Sequence, residues 1–142
     1  MTGKDKLGVN SPVGQVVKGV TQFMLGGNAE FTIFQEPNIQ YKYNLKMNKN
    51  RTMAYVYMNK IYQGFIIKKD GEYVFYVGNK GNRNFNTQAI NGLLWVLKRG
   101  DNLPKQVKVY HHGRCSVCGR KLTDSESIRM GMGPTCRAKF GF

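Results

Sequence analysis

The sequence predicts an α+β protein: an antiparallel β-meander with one packed amphipathic helix, an N-terminal helix or arm, and a C-terminal cysteine knuckle. Three observations lead there. Between Glu30 and Val77 the apolar residues recur with a period of two, interrupted by turn residues. Between Asn86 and Gly100 the period becomes that of a helix. All three cysteines then fall between Cys115 and Cys136, downstream of both. The chain of 142 residues accordingly divides into an arm (1–28), a meander with its helix (29–106) and a C-terminal module (107–142).

Residues 1–10 are rich in Gly, Lys and Asn and read as frayed. Ser11-Pro12 can start a helix, and Val13, Val16, Val17, Val20 and Met24 share one stripe before Gly26-Gly27 stops it. Four valines with Gly14 and Gly19 are poor helix formers, so such a helix depends on packing or serves as a docking arm. Five short strands follow at 30–35, 41–47, 53–58, 61–68 and 73–77. Their separators are short, and Asp70-Gly71 signals a tight hairpin, so consecutive strands should be antiparallel neighbours. Asn86 caps the helix, with Phe85 and Ile90 as a hydrophobic staple. Its buried stripe reads Ile90, Leu93, Leu94 and Leu97, Lys98-Arg99 complement the dipole, and Gly100 ends it.

The C-terminal module carries the strongest chemical signal. Cys115 and Cys118 form a Cys-x-x-Cys pair, Cys136 returns after a short insert, and His111-His112 stand just upstream. Three sulfurs and one imidazole make a closed tetrahedral shell, which is the chemistry of a structural zinc site. An odd cysteine count argues against a disulfide framework, and a redox pair would belong to a βαβ unit; three unrelated buried thiols is the bland alternative. Residues 107–111 alternate like a strand, so the two histidines should face opposite ways, and His111 is the favoured ligand. In the insert, Thr123-Asp124-Ser125-Glu126 reads as a capping box with Thr123 as cap. Gly133-Pro134 opens a second helix that places Cys136 in its first turn, where the dipole favours a thiolate.

Cys-x-x-Cys-Gly-Arg-Lys-Leu-Thr, closed by Gly-Met-Gly-Pro-Thr-Cys and preceded by His111-x-Gly-Arg, resembles an uncharacterised family of small phage and prophage proteins. The likeness is close over residues 107–136 and loose upstream. It implies His111 as fourth ligand and a phage origin, but no reaction; the reduced cysteines and the lack of a leader point to the cytoplasm, that of a bacterial host if the protein is phage-encoded. His112 departs from it, since an acidic residue is expected there.

Composition adds a positive field. Twenty-two basic residues against eight acidic give +14, and residues 31–60, 61–100 and 101–142 carry +4, +4 and +5. The excess belongs to the folded body, so the expected partner is a polyanion, nucleic acid first and an acidic host protein second. Within the body, the loop 79–87 is basic and glycine-punctuated and leads into a helix, so Lys80 and Arg83, with Asn86 and Thr87 at the helix start, are candidate phosphate contacts. A solvated connector is the competing reading of that loop. Tyr55 and Tyr57 share the outward face of their strand, opposite Ala54, Val56 and Met58, and Lys42, Lys46 and Arg51 lie nearby. Rings beside cations suit a single-strand binder, DNA or RNA, although half-buried sheet tyrosines are the commoner case. No Walker loop or HExxH appears, and both histidines sit at the knuckle. The expectation is a binder, not an enzyme, with one structural Zn2+, no small-molecule substrate and no membrane partner. A phage effector that binds and inhibits a host protein is the alternative.

Overall fold

A computed structural model describes residues 14–141. Its centre is one seven-stranded sheet in which β1 (Gly14–Gln15) and β7 (Val107–His111) lead into the five strands of the meander, in the order β1-β7-β2-β3-β4-β5-β6, with every adjacent pair antiparallel. The meander runs through β2 (Asn28–Gln35), β3 (Ile39–Met47), β4 (Ala54–Met58), β5 (Ile61–Lys69) and β6 (Glu72–Tyr76). Its hairpins turn where the sequence has short polar links. Asp70 and Gly71 both take positive φ, as do Asn59 and Lys60, giving two-residue turns whose twist matches that of the strands.

Helix α2 (Thr87–Arg99) packs on one face of this sheet. Asn86 caps it by accepting from the Ala89 N–H at 3.0 Å, and Gly100 closes it, as expected. Its buried face is Ala89, Ile90, Leu93, Val96 and Leu97, so Val96 takes the place expected for Leu94. At 3.6 residues per turn Leu94 points about 100° away from Leu93, which leaves it half-buried at the margin. The core joins these residues to Phe31, Ile33, Tyr43 and Leu45 of the sheet and to Phe23 and Met24.

The region before the meander departs from the expected helix. The proposed start at Ser11-Pro12 lies outside the described residues. Gly14 and Gln15 form a short strand, β1, against β7 (Val107–His111), and among the described residues before the meander only Val20–Met24 is helical (α1). The composition explains this: β-branched valines favour extended backbone, and Gly19 adopts φ +70 at the N-cap. The carboxylate of Asp101 accepts from the Gly19 and Val20 N–H groups and holds that helix start. Among the described residues no helix is long and apolar enough to cross a membrane.

β7 lies between β1 and β2, so position 107, the expected module boundary, falls inside the sheet. Two short helices, α3 (Ser125–Met130) and α4 (Pro134–Lys139), complete the chain. Cys115, Leu122, Met132 and Cys136 belong to the same core as the sheet residues. Backbone bonds from Asn28 N–H to Ser116 O (2.7 Å) and from Ser116 N–H to Gly131 O (2.9 Å) tie the knuckle to β2 and to the end of α3.

Candidate metal centre and aromatic face

The knuckle is built by backbone bonds around Cys115. Its N–H donates to Arg120 O at 2.8 Å, and Gly119, at φ +78, returns its N–H to Cys115 O at 3.0 Å. Positive φ is what this turn demands, and glycine meets it without strain. α4 then begins with Gly133 as cap and Pro134 at its first position, which swings buried Cys136 back to the knuckle. Asp124, not Thr123, caps α3 by accepting from Ser127 N–H at 3.0 Å, while Glu126 turns to Arg129 at 3.5 Å.

The three sulfurs lie within 4.8 Å of one another and could hold a metal ion. Zinc–sulfur bonds of about 2.3 Å in a tetrahedron put sulfurs about 3.8 Å apart, so the cluster needs little contraction to fit one. Burial disfavours the charged form of Cys115, yet the N–H groups of Cys118, Gly133 and Val117 pull its thiol below the ordinary value. Cys136 behaves oppositely. Burial, then its hydrogen bonds to the other sulfurs and their charge, push it up to about 11, which overrides the expected help from the helix dipole. A bound divalent ion reverses that, because a coordinating thiol is deprotonated outright.

His111 does not join the cysteines. It faces the core, buried, with its ring 6.3 Å from that of Phe23. Nδ1 accepts from the Gly113 N–H at 2.9 Å, and Nε2 donates to the Ile128 carbonyl at 2.6 Å. One nitrogen accepts and the other donates, so the ring is a neutral tautomer with no lone pair left for a metal. Burial, which outweighs the Ile128 bond, holds its pKa below the usual value and keeps it neutral. β1 closes over it, and a Cβ at Gly14 would overlap the ring. The expected fourth ligand is therefore a buried brace between β7 and α3. His112 points to the other face of the sheet, half-buried, and meets Thr32 Oγ1 at 2.8 Å.

That other face carries the second candidate site. The register puts Asn44 beside Tyr57 and Lys46 beside Tyr55, then Tyr57 beside Tyr62, Tyr55 beside Phe65, and Phe65 beside Tyr76. Tyr55 and Tyr57 do point outward, and three further rings extend them into a row. Centroids are 5.4 Å apart for Tyr57–Tyr62, 6.2 Å for Tyr55–Tyr62 and 5.6 Å for Phe65–Tyr76. Tyr62 and Phe65 share this face because a bulge opposite Val56 inserts one extra residue in β5. Gly64 makes the bulge possible at φ +148, where a side chain would overlap Tyr76 O and the Phe75 ring.

Lysines border the row. A groove of about 480 Å³ runs along Tyr55, Tyr57, Tyr62 and Phe65 to Lys80, and a neighbouring one of about 470 Å³ joins Tyr57 to Lys42, Lys46, Lys60 and His112. Lys46 Nζ stands 5.1 Å over the Tyr57 ring. The remaining candidates fall elsewhere. Arg83 is exposed but does not line the groove. Asn86 is spent on the helix cap, with exposed Thr87 next to it. Within the loop Asn82 N–H donates to Gln63 O, Asn84 N–H to Asn82 Oδ1, and Phe85 N–H to Asn82 O, so these backbone donors are committed inside the fold. Arg51 is structural: it donates to Leu25 O (2.5 Å) and Gly26 O (3.4 Å) at the end of α1, and lies over the Phe140 ring.

Residues 108–141 match a family of unknown function (DUF6011). The matched segment starts within β7 and takes in all three cysteines, so the likeness covers the cysteine cluster and not the aromatic face. No curated protein and no solved structure matches the chain.

Proposed function

We propose that the protein binds single-stranded nucleic acid, without doing chemistry on it, across the outer face of its sheet. Zinc on the three cysteines acts as a structural clamp at the edge of the core. The observation that carries this reading is the row of five rings, Tyr55, Tyr57, Tyr62, Phe65 and Tyr76, bordered by Lys42, Lys46, Lys60 and Lys80. Unpaired bases stack on such rings regardless of sequence, and the cations follow the phosphates. A duplex keeps its bases stacked inside and cannot use the rings, so the arrangement favours single strands or splayed loops. Both histidines are held in structural hydrogen bonds, which supports a binding role over catalysis. The resemblance to phage and prophage proteins gives such a binder its setting in a bacterial host's cytoplasm.

Fluorescence anisotropy with single- and double-stranded DNA and RNA probes at two salt concentrations tests this. Single strands should bind more tightly than duplexes. Each lysine that neutralises a phosphate should contribute about 0.7 to the salt slope for single strands. Lys80→Glu should weaken all sequences about equally, and more than Arg83→Glu does. No binding to any probe at low salt would retire the reading and leave the basic surface to an acidic protein.

A further inference from the structure

The clamp itself is incomplete. The three sulfurs supply three of the four positions that zinc fills in a structural site, and among the described residues no other His, Cys, Asp or Glu joins them. His111 has both ring nitrogens committed, and His112 bonds Thr32 on the opposite face of the sheet. Asp124 lines the cavity beside the cluster but already accepts from Ser127 N–H at 3.0 Å and Ser127 Oγ at 2.6 Å, with Arg137 at 3.9 Å.

Beside the cluster lies a cavity of about 390 Å³ with Cys118 and Cys136 in its wall. Cys118 is exposed, unlike the other two. Arg120, Lys121 and Lys139 also line the cavity. A divalent ion on three thiolates carries one net negative charge, and these cations would balance it together with an incoming anionic donor.

We infer that the fourth coordination position of a metal on Cys115, Cys118 and Cys136 is filled from this cavity by an exchangeable donor that is none of the described side chains. Water fills it in the isolated protein and exchanges for a small soft donor such as a thiolate. The site is then a staple with a replaceable fourth arm, and the two functions of the metal are separable: three thiolates hold the fold, and the fourth position reads the solution. Soft sulfur donors suit zinc, and the basic wall favours an anion over a neutral ligand.

This inference rests on the proposed metal occupancy, so stoichiometry is measured first on the full chain. X-ray absorption on the zinc form should show three sulfurs and one light atom, without the outer-shell scattering of an imidazole. In the cobalt(II) form, 2-mercaptoethanol should shift the visible bands saturably toward a four-sulfur spectrum, and imidazole should shift them differently. Asp124→Asn should leave the coordination shell of the untreated protein unchanged. An imidazole signature in the untreated protein, bands indifferent to both probes, or a shell altered by Asp124→Asn would each overturn the inference while leaving the metal in place. Absence of any stoichiometric metal would remove the zinc reading along with it.

Discussion

The two faces of the sheet hold the same kinds of residue in opposite states. On the inner face Phe31 stacks on Tyr43 at 5.5 Å and meets Phe23 edge-on at 5.8 Å, all three buried. The Tyr43 hydroxyl donates to Ala89 O at 2.7 Å, so even its polar end is committed to α2. On the outer face Tyr55, Tyr57, Tyr62 and Phe65 are packed just as closely but remain half-exposed, and Tyr76 is 39% exposed. Packing density alone does not distinguish a core from an interface. What distinguishes them is whether a helix lies across the rings, and among the described residues only one face has such a cover. A row of rings left open and bordered by lysines is the feature on which the proposed single-strand binding rests, whereas scattered single aromatics would need no explanation.

The largest way to break the comparison is to remove the proposed metal from the cysteine cluster. Structural zinc contributes on the order of 10–16 kcal/mol of apparent binding free energy. Chelation, or Cys136→Ser, should therefore strip hydrogen-exchange protection from residues 112–141 and loosen β1 and β7 beside them. Strands β4 to β6 and their outer rings should keep most of theirs. Uniform loss across the sheet would show that the two faces are not separable.

Next come single truncations on each face. Phe31→Ala should cost about 3–5 kcal/mol of stability, as large core deletions do. Tyr57→Ala should cost much less stability but about 1–3 kcal/mol of binding to a single strand, with little change in salt slope. Denaturation and anisotropy on the same two variants check this, and matching stability losses would mean that the outer rings are simply a second core.

A smaller effect separates the faces by pH. Burial, then the neighbouring Tyr41, holds the Tyr43 hydroxyl well above the usual tyrosine value. Tyr43 in the unfolded chain ionises near pH 10, whereas in the fold it stays neutral well above that pH. Its contribution is thus fully present below that pH and is lost as pH rises through the folded value. Tyr43→Phe should flatten the alkaline fall in stability, and an unchanged slope would place that sensitivity elsewhere.

Most of the inner face was legible from sequence, because alternation and helical period locate α2 and the meander to within a few residues. The outer face was legible only in part. Tyr55 and Tyr57 follow simple alternation, but Tyr62 and Phe65 stand three apart and would fall on opposite faces without the bulge at Gly64, which a lone glycine in a strand signals only weakly. The cysteine cluster was legible because spacing encodes it. His111 misled because sequence proximity cannot show that Ile128, seventeen residues later, takes its ring nitrogen. Arg51 misled similarly, since its partners are the carbonyl groups of Leu25 and Gly26. At the N-terminus, one valine stripe served both periods, and pairing with β7 decided for a strand at Gly14 and Gln15.

The central claim is that the open rings bind bases, and Tyr62 tests it best because it touches both Tyr55 and Tyr57. Anisotropy of a labelled single strand at low salt, with the intact chain and with Tyr62→Ala, is the direct measurement. The account predicts saturable binding by the intact chain and a loss of roughly tenfold or more in the variant, each tenfold being about 1.4 kcal/mol, with the fold unchanged. Equal affinity of the two proteins, or no binding by either, would contradict it.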